Sequence, residues 1–243
     1  MMAPVPRMAM LLSAGLGKRL LPLTQTRPKP LIPVAGKPLI DWCLDLLERS
    51  GVQTAVVNVH HLGEMITSHL QNRMKPRIVI SEEYPLLLDS GGGVVKALPH
   101  LGNDSFLIVN SDTFWIDAGV PNLERMAAVW NPDTMDILLL LSPLDKATGY
   151  SGIGDFVQAR DGRLARIDGG ENGAVYAGGA IVHPRIFADA PAGPHSLNLY
   201  FDRAIANGRL FGITLSGQWI TVGTPQAITS AETLLSEMAV MSR

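Results

Sequence analysis

Between Met1 and Ile40 the chain has no aspartate and no glutamate. The whole protein has 243 residues and a net charge of -2, so this is a local absence and not the mark of a basic protein. Balanced charge argues against nucleic acid as the main partner. Cysteine is nearly absent as well. The single thiol, Cys43, rules out an internal disulfide and fits a reducing cytosol. No apolar run approaches the ~20 residues of a membrane span, and Met1 to Arg7 is too short and too broken by proline for a signal peptide, so the expected location is cytoplasmic, away from membranes. Internal repeats and low-complexity tracts are missing too. Nothing in the pattern specifies an oligomeric state.

The acid-free span carries Arg7, Lys18, Arg19, Arg27, Lys29 and Lys37. Its centre, Ser13 to Pro38, reads SAGLGKRLLPLTQTRPKPLIPVAGKP. A glycine-rich turn beside unpaired cations suits a polyphosphate. Backbone N–H groups can come close at Gly15 and Gly17, while Lys and Arg neutralise charge. Taken alone, Gly15-Leu16-Gly17 is an ordinary strand-to-helix turn. It lacks the third glycine of a dinucleotide fingerprint and the Gly-Lys-Ser/Thr of a P-loop. The full run is more informative. Pro22, Pro28, Pro30, Pro33 and Pro38 oppose a helix, and Lys29, between two prolines, has a largely preset backbone.

This stretch resembles the sugar-1-phosphate nucleotidyltransferases, whose signature is an apolar strand, then A-G-x-G-x-R-L-x-P-L-T and P-K-P-L-x-P-V-x-G-K-P. Nearly every fixed position from Ala14 to Pro38 matches, with Ser13 standing where the family usually has Ala. The Gly91-Gly92-Gly93 and Trp219 regions look most like the N-acetylmuramate-1-phosphate uridylyltransferase branch. The resemblance is strong in the first half of the chain and weaker beyond it.

With 47% hydrophobic and 17% charged residues, a sizeable core can be buried. In order, strands are expected at Met8–Ser13, Ala55–Val59, Arg77–Ile80, Phe106–Val109 and Asp136–Ser142. Helices are expected at Leu39–Arg49, Leu62–Leu70, Val94–Leu98 and from Val120 to Trp130. Alternation of this kind implies an α/β fold with a mostly parallel sheet, whose ligands sit at the carboxyl ends of the strands. Past Gly149, short alternating segments at Asp155–Ala159 and Leu164–Asp168 read as hairpin material, followed by strands at Val175–Val182 and Leu210–Leu215. Ser196 is placed to cap a helix running to Asn207, and Thr224 to begin a closing helix over Pro225–Met238. The resemblance implies one Rossmann-like nucleotidyltransferase domain over residues 1–243. Its nucleotide-binding half spans about 1–145, and its sugar-binding half, with a small β-rich annex, about 146–243.

Leu88-Asp89-Ser90-Gly91-Gly92-Gly93 offers bare backbone to a flat ligand, or is simply a flexible turn; it resembles the family's E-T-G-G-G segment, which contacts the base. Asp112, ending a buried strand, would face the expected cleft as a Mg²⁺ ligand, since Mg²⁺ takes one or two carboxylates plus phosphate oxygens. It also matches the aspartate of the family's N-G-D motif. His60 and His61 read as surface or capping residues, with no third metal ligand spaced near them. From the resemblance, Arg19 and Lys29 are the catalytic cations. Ala14, Gly15, Gly17, Gly91, Gly92 and Asp112 would contact the nucleotide. Gly154, Asp155 and Gly179 would contact the sugar. The implied reaction joins a nucleoside triphosphate, UTP by branch, to a sugar 1-phosphate, N-acetylmuramate 1-phosphate by branch, and releases pyrophosphate. GTP with mannose 1-phosphate is the alternative pair. One departure stands out. Gln218 to Pro225 resembles W-x-D-V-G-T-P, yet Thr221 replaces the aspartate that supplies a second metal carboxylate. Either Asp112 with phosphates and water suffices, or another acid such as Asp89, Asp168 or Asp202 substitutes, or the chain is a non-catalytic nucleotide-sugar sensor.

Overall fold

A computed structural model describes residues 4–169 and 173–241. The first strand, β1 (Met8–Leu12), is an apolar run whose Ala9, Met10 and Leu11 are fully buried. The strands β2 (Thr54–Val59), β3 (Arg77–Glu82), β4 (Phe106–Asn110) and β6 (Ile137–Ser142) belong to the same sheet. The near-continuous apolar sequence of β1, β2, β4 and β6 is what a sheet covered on both faces demands. With β9 (Val175–Val182) and β10 (Leu210–Thr214) they form seven strands in the order β10-β6-β9-β4-β1-β2-β3. Every pairing is parallel except those of β9, which runs antiparallel between β4 and β6.

Helices α1 (Leu39–Arg49), α2 (Gly63–Leu70), α3 (Asp89–Leu101), α4 (Asn122–Val129), α5 (Asn198–Ala206) and α6 (Pro225–Met241) complete the layers. On α1 the apolar face is Leu39, Ile40, Cys43, Leu44, Leu46 and Leu47, all buried. Trp42 sits half-buried at its edge and stacks on Phe114 with ring centroids 4.7 Å apart. Truncating one such leucine costs about 2–5 kcal/mol. A second apolar cluster gathers α3 and α5 through Val94, Ala97, Tyr200, Phe201 and Ala204.

One helix and two strands depart from the sequence reading. Helix α3 begins at Asp89 and runs through all three glycines, not from Val94. Packing of this bare first turn against neighbouring chain overrides the low helix propensity of glycine. A further strand, β5 (Thr113–Asp117), follows directly on Asp112 and pairs with β11 (Gly217–Thr221), which also pairs with Ala147–Thr148. The expected hairpin is present as β7 (Phe156–Gln158) and β8 (Leu164–Arg166). Among the described residues no helix is long and apolar enough to cross a membrane.

The strand order places the site. The chain lays β2 and β3 to one side of β1, then returns to lay β4 on the other. The crevice beyond the carboxyl ends of β1 and β4 is therefore a topological switch point. There, Ser111 donates both its N–H (3.1 Å) and its hydroxyl (2.7 Å) to the Leu12 carbonyl, binding the two strand ends together.

Candidate active site

Two cavities open at this crevice and share Asn110 and Asp112. One, of about 440 Å³, is lined by Ser13, Ala14, Gly15, Lys29, Asn58, Asp89 and Ser90, among others. The other, of about 720 Å³, is lined by Arg19, Tyr150, Asp155, Tyr176, Thr221 and Gly223, among others. A substrate in each would meet at Asp112.

Lys29 starts a short 3₁₀ turn, Lys29–Leu31, held between its flanking prolines. The side chain is 12% exposed, and its Nζ lies 2.5 Å from Asp112 Oδ2. An ammonium and a carboxylate so placed are each other's counterion while no substrate is bound, and each can turn to a substrate charge of opposite sign. Arg19 lies against the Gly223 turn and makes no hydrogen bond or ion pair among the described residues. An exposed guanidinium without a partner, pointing along a cavity wall, can take a planar anion as a fork.

Of the residues expected at the site, Ala14, Gly15, Lys29, Asp112, Arg19 and Asp155 line the paired cavities. The other glycines expected at the site, Gly17, Gly91, Gly92, Gly154 and Gly179, do not line them. Gly17 adopts φ +62°, and a Cβ there would meet Thr24 and Lys29, so it serves the turn. Gly91 and Gly92 both donate their N–H groups to the His195 carbonyl, at 2.8 and 3.1 Å. What lies against their bare backbone is the 193–196 segment, and Asp89 and Ser90 beside them are what line the cavity. Gly154 lies against Gly173, and Gly179 against the Trp115 ring. In each case a glycine lets the backbone approach another part of the chain at a distance where an added side chain would crowd it.

Asp155 accepts the Tyr176 N–H through Oδ2 at 2.8 Å, which fixes the carboxylate at the cavity wall. The Tyr176 hydroxyl is buried without a hydrogen-bond partner among the described residues. Burial and then the Asp112 charge push its pKa far above the ordinary phenol value. Tyr150 accepts from Gly154 N–H at 3.2 Å; burial, then the Asp155 charge, raises its pKa. Cys43, on α1, donates to the carbonyls of Asn110 (3.5 Å) and Thr113 (3.2 Å), either side of Asp112, and burial raises its pKa far beyond the thiol range. It is inert and structural. His60 and His61 are loop ties, to the Glu83 carbonyl at 2.9 Å and the Thr24 carbonyl at 3.0 Å.

Of the acids considered as partners for Asp112, Asp202 is held by Arg166 at 2.8 Å, and neither it nor Asp168 lines the paired cavities. Asp89 lines the first cavity and Asp155 the second. Thr221 sits opposite Thr113 in the β5–β11 pair, in the same cavity as Asp112. Among the described residues no group of three or more His, Cys, Asp or Glu side chains is arranged to hold a metal ion. A lone Asp112 carboxylate, 34% exposed and open to both cavities, suits Mg²⁺ that brings phosphate oxygens and water with it.

Sequence reading missed Asn58, which lines the first cavity, and Glu83, hydrogen-bonded to it from behind, as well as Tyr150 and Tyr176. The signal for Asn58 was a polar residue inside the otherwise apolar Ala55–Val59 run.

Residues 8–164 match the family model for a nucleotidyl transferase. The chain belongs to the nucleotidyl transferase family. It is 42% identical over 241 residues to the N-acetylmuramate alpha-1-phosphate uridylyltransferase of Caulobacter vibrioides, covering 97% of this chain and 100% of that one. To the protein of the same name from Neisseria meningitidis serogroup B it is 32% identical, covering 93% and 97%. Among solved structures, HddC from Yersinia pseudotuberculosis complexed with GMP-PN superposes with a TM-score of 0.77 at 21% identity, covering 94% of this chain and 99% of that one. A UDP-glucose pyrophosphorylase complexed with UDP-glucose gives 0.72 at 16% identity, covering 96% and 99%. Both likenesses concern the fold, which agrees with the α/β class and mostly parallel sheet expected from the sequence.

Proposed function

We propose that this nucleotidyl transferase joins the UMP moiety of UTP to N-acetylmuramate 1-phosphate, giving the UDP-sugar and pyrophosphate. The observation that carries the reading is the pair of cavities meeting at Asp112, with Lys29 at the junction and Arg19 on one wall. Similarity over nearly the full length of two uridylyltransferases supports the choice of substrates. GTP with mannose 1-phosphate stays the second pair to test.

In this reading a phosphate oxygen of the sugar 1-phosphate attacks the α-phosphorus of the nucleotide. One P–O bond forms as the bond to the β-phosphate oxygen breaks, and pyrophosphate leaves in line with that electron pair. The nucleophile is already anionic, so no general base is required. Catalysis comes from positioning and from charge placed in advance. Ala14 and Gly15 border the nucleotide's path at the end of β1. Lys29 leaves Asp112 for the α-phosphate and the incoming phosphate, whose mutual repulsion it offsets. Arg19 holds the departing phosphates. Asp155 hydrogen-bonds the sugar. Asp112 would hold Mg²⁺, which when bound supplies further neutralisation of the phosphates. Such chemistry suits a cytoplasmic enzyme of cell-wall sugar recycling.

The test is pyrophosphate release with Mg²⁺ over a grid of UTP, GTP, CTP, dTTP and ATP against several sugar 1-phosphates. Release that needs UTP and N-acetylmuramate 1-phosphate together supports the reading. Nucleotide-induced thermal stabilisation without turnover on any pair would instead mark a sensor.

A further inference from the structure

At the back of the first cavity lies a buried polar chain that includes no basic side chain among the described residues. Asn58 lies within the apolar run of β2 and is 2% exposed; Glu83 follows β3 and is 1% exposed. Asn58 Oδ1 accepts the Ser13 N–H at 2.7 Å. Asn58 Nδ2 donates to Glu83 Oε1 at 2.6 Å. Glu83 Oε2 accepts the Leu88 N–H at 2.8 Å, immediately before α3. Ser13 opens the loop that borders the cavity on one side; Leu88 precedes Asp89 and Ser90, which border it on the other. Two side chains therefore set the separation of both walls. A carboxylate buried without a salt bridge is costly unless it is fully hydrogen-bonded. The Leu88 N–H supplies one such bond just before α3, at the positive end of the helix dipole. The third glycine of the motif makes the room. A Cβ at Gly93 would stand 2.5 Å from Glu83 Oε1 and 2.8 Å from Asn58 Nδ2.

We infer that Asn58 and Glu83 are positioning residues for the nucleotide, which hold the Ser13–Gly15 loop and the Leu88–Ser90 turn at the spacing the base and ribose require. They touch no reacting atom. This inference rests on the nucleotide reading of that cavity.

The donors and acceptors of this chain allow a test that a general loss of stability cannot imitate. In Asn58→Asp, a carboxylate oxygen faces Glu83 Oε1 where an amide stood. In Glu83→Gln, an NH₂ must face either Asn58 Nδ2 or the Leu88 N–H, donor against donor. The double variant, Asn58→Asp with Glu83→Gln, restores every bond. The new carboxylate on β2 accepts from the Ser13 N–H and from the new side-chain amide after β3, and the carbonyl of that amide accepts from the Leu88 N–H.

Steady-state kinetics with UTP and N-acetylmuramate 1-phosphate, calorimetric titration with UTP, and thermal melts are measured on all four proteins. Each single variant is expected to raise KM for UTP at least ~10-fold and KM for the sugar phosphate less than ~3-fold, with the double within ~3-fold of native for both. A double variant no better than the singles, or singles with native KM for UTP, overturns the inference. Should Asn58→Asp not fold, Glu83→Gln against the double decides by the same numbers. If the native chain binds no UTP in the titration, it is the nucleotide reading of the cavity that fails. Native binding equalled by both singles rejects the positioning role alone.

Discussion

Gly15 and Gly91 look alike in the sequence, as glycines beside a nucleotide, but the structure gives them opposite fates on substitution by alanine. At Gly91 the added Cβ would stand 2.7 Å from His195 Cδ2, 2.8 Å from the His195 carbonyl oxygen and 2.9 Å from the Ser196 carbonyl carbon. Two of these three are backbone atoms, so no side chain can rotate away. Ordinary contact begins near 3.4 Å, so the 193–196 segment must retreat by about 0.6 Å. Overpacking of this kind costs about 1–3 kcal/mol. The retreat also stretches the two N–H bonds to His195, together worth about 1–3 kcal/mol. Better helix propensity returns about 1 kcal/mol. The net loss is about 3 kcal/mol, or a melting temperature lower by about 6–12 °C for a chain of this size. At Gly15 nothing lies within 4 Å of the added carbon, which points into open space at the cavity. Gly15→Ala should melt within about 1 °C of native and raise KM for the nucleotide about 10-fold, a cost of ~1.4 kcal/mol in binding. Melts and initial rates on the two variants are sufficient. A Gly91→Ala protein that melts like the native one, or a Gly15→Ala protein with native KM and a lowered melting temperature, would refute the packing argument.

Lys29→Ala and Arg19→Ala should each cost about 10²-fold or more in rate, the scale of lost preorganised charge, as read in a coupled pyrophosphate assay; near-normal turnover in either removes that residue from the mechanism. Thr221→Asp adds a carboxylate in the cavity of Asp112 and should tighten Mn²⁺ binding by the nucleotide-free protein, measured by calorimetry; no change would mean position 221 does not face the ion. His183 accepts the Arg185 N–H through Nδ1 at 3.2 Å, and burial, followed by the Arg185 charge, lowers its pKa from 6.5. Its folded pKa is depressed, so above about pH 6.5 both states are neutral and the residue has no effect. As pH falls below that value the unfolded chain takes up the proton first and stability is lost. His183→Gln should therefore lose less melting temperature than native between pH 7.5 and 5, and equal losses would contradict this.

Much of the site's core was legible because it is local. The Ser13–Pro38 run carries its glycines, its cations and the motif that resembles the family in one continuous stretch, and Asp112 is marked by the apolar Phe106–Val109 strand before it. The α/β class and the mostly parallel sheet followed from apolar strand runs alternating with helices, but the strand order and the antiparallel place of β9 did not. What was not legible depends on neighbours distant in the chain. The glycines at 91–93 look like a helix-breaking turn until the 193–196 segment and the Asn58–Glu83 pair fill the space beside them. Strand β5 was hidden because only Ser111 and Asp112 separate it from β4, too short a gap to read as a boundary between two strands. Asn58 and Glu83 are 25 positions apart, and only the parallel register that pairs Val59 with Glu82 brings them together.

The most direct test of nucleotidyl transfer is to follow the α-phosphate. UTP labelled at the α-phosphorus is incubated with N-acetylmuramate 1-phosphate, Mg²⁺ and the native protein, and products are separated over time. Attack at the α-phosphorus between the two cavities predicts label in the UDP-sugar, unlabelled pyrophosphate in equal amount, and neither without the sugar phosphate. Label appearing as free UMP, or UTP left intact while it binds, would contradict the account.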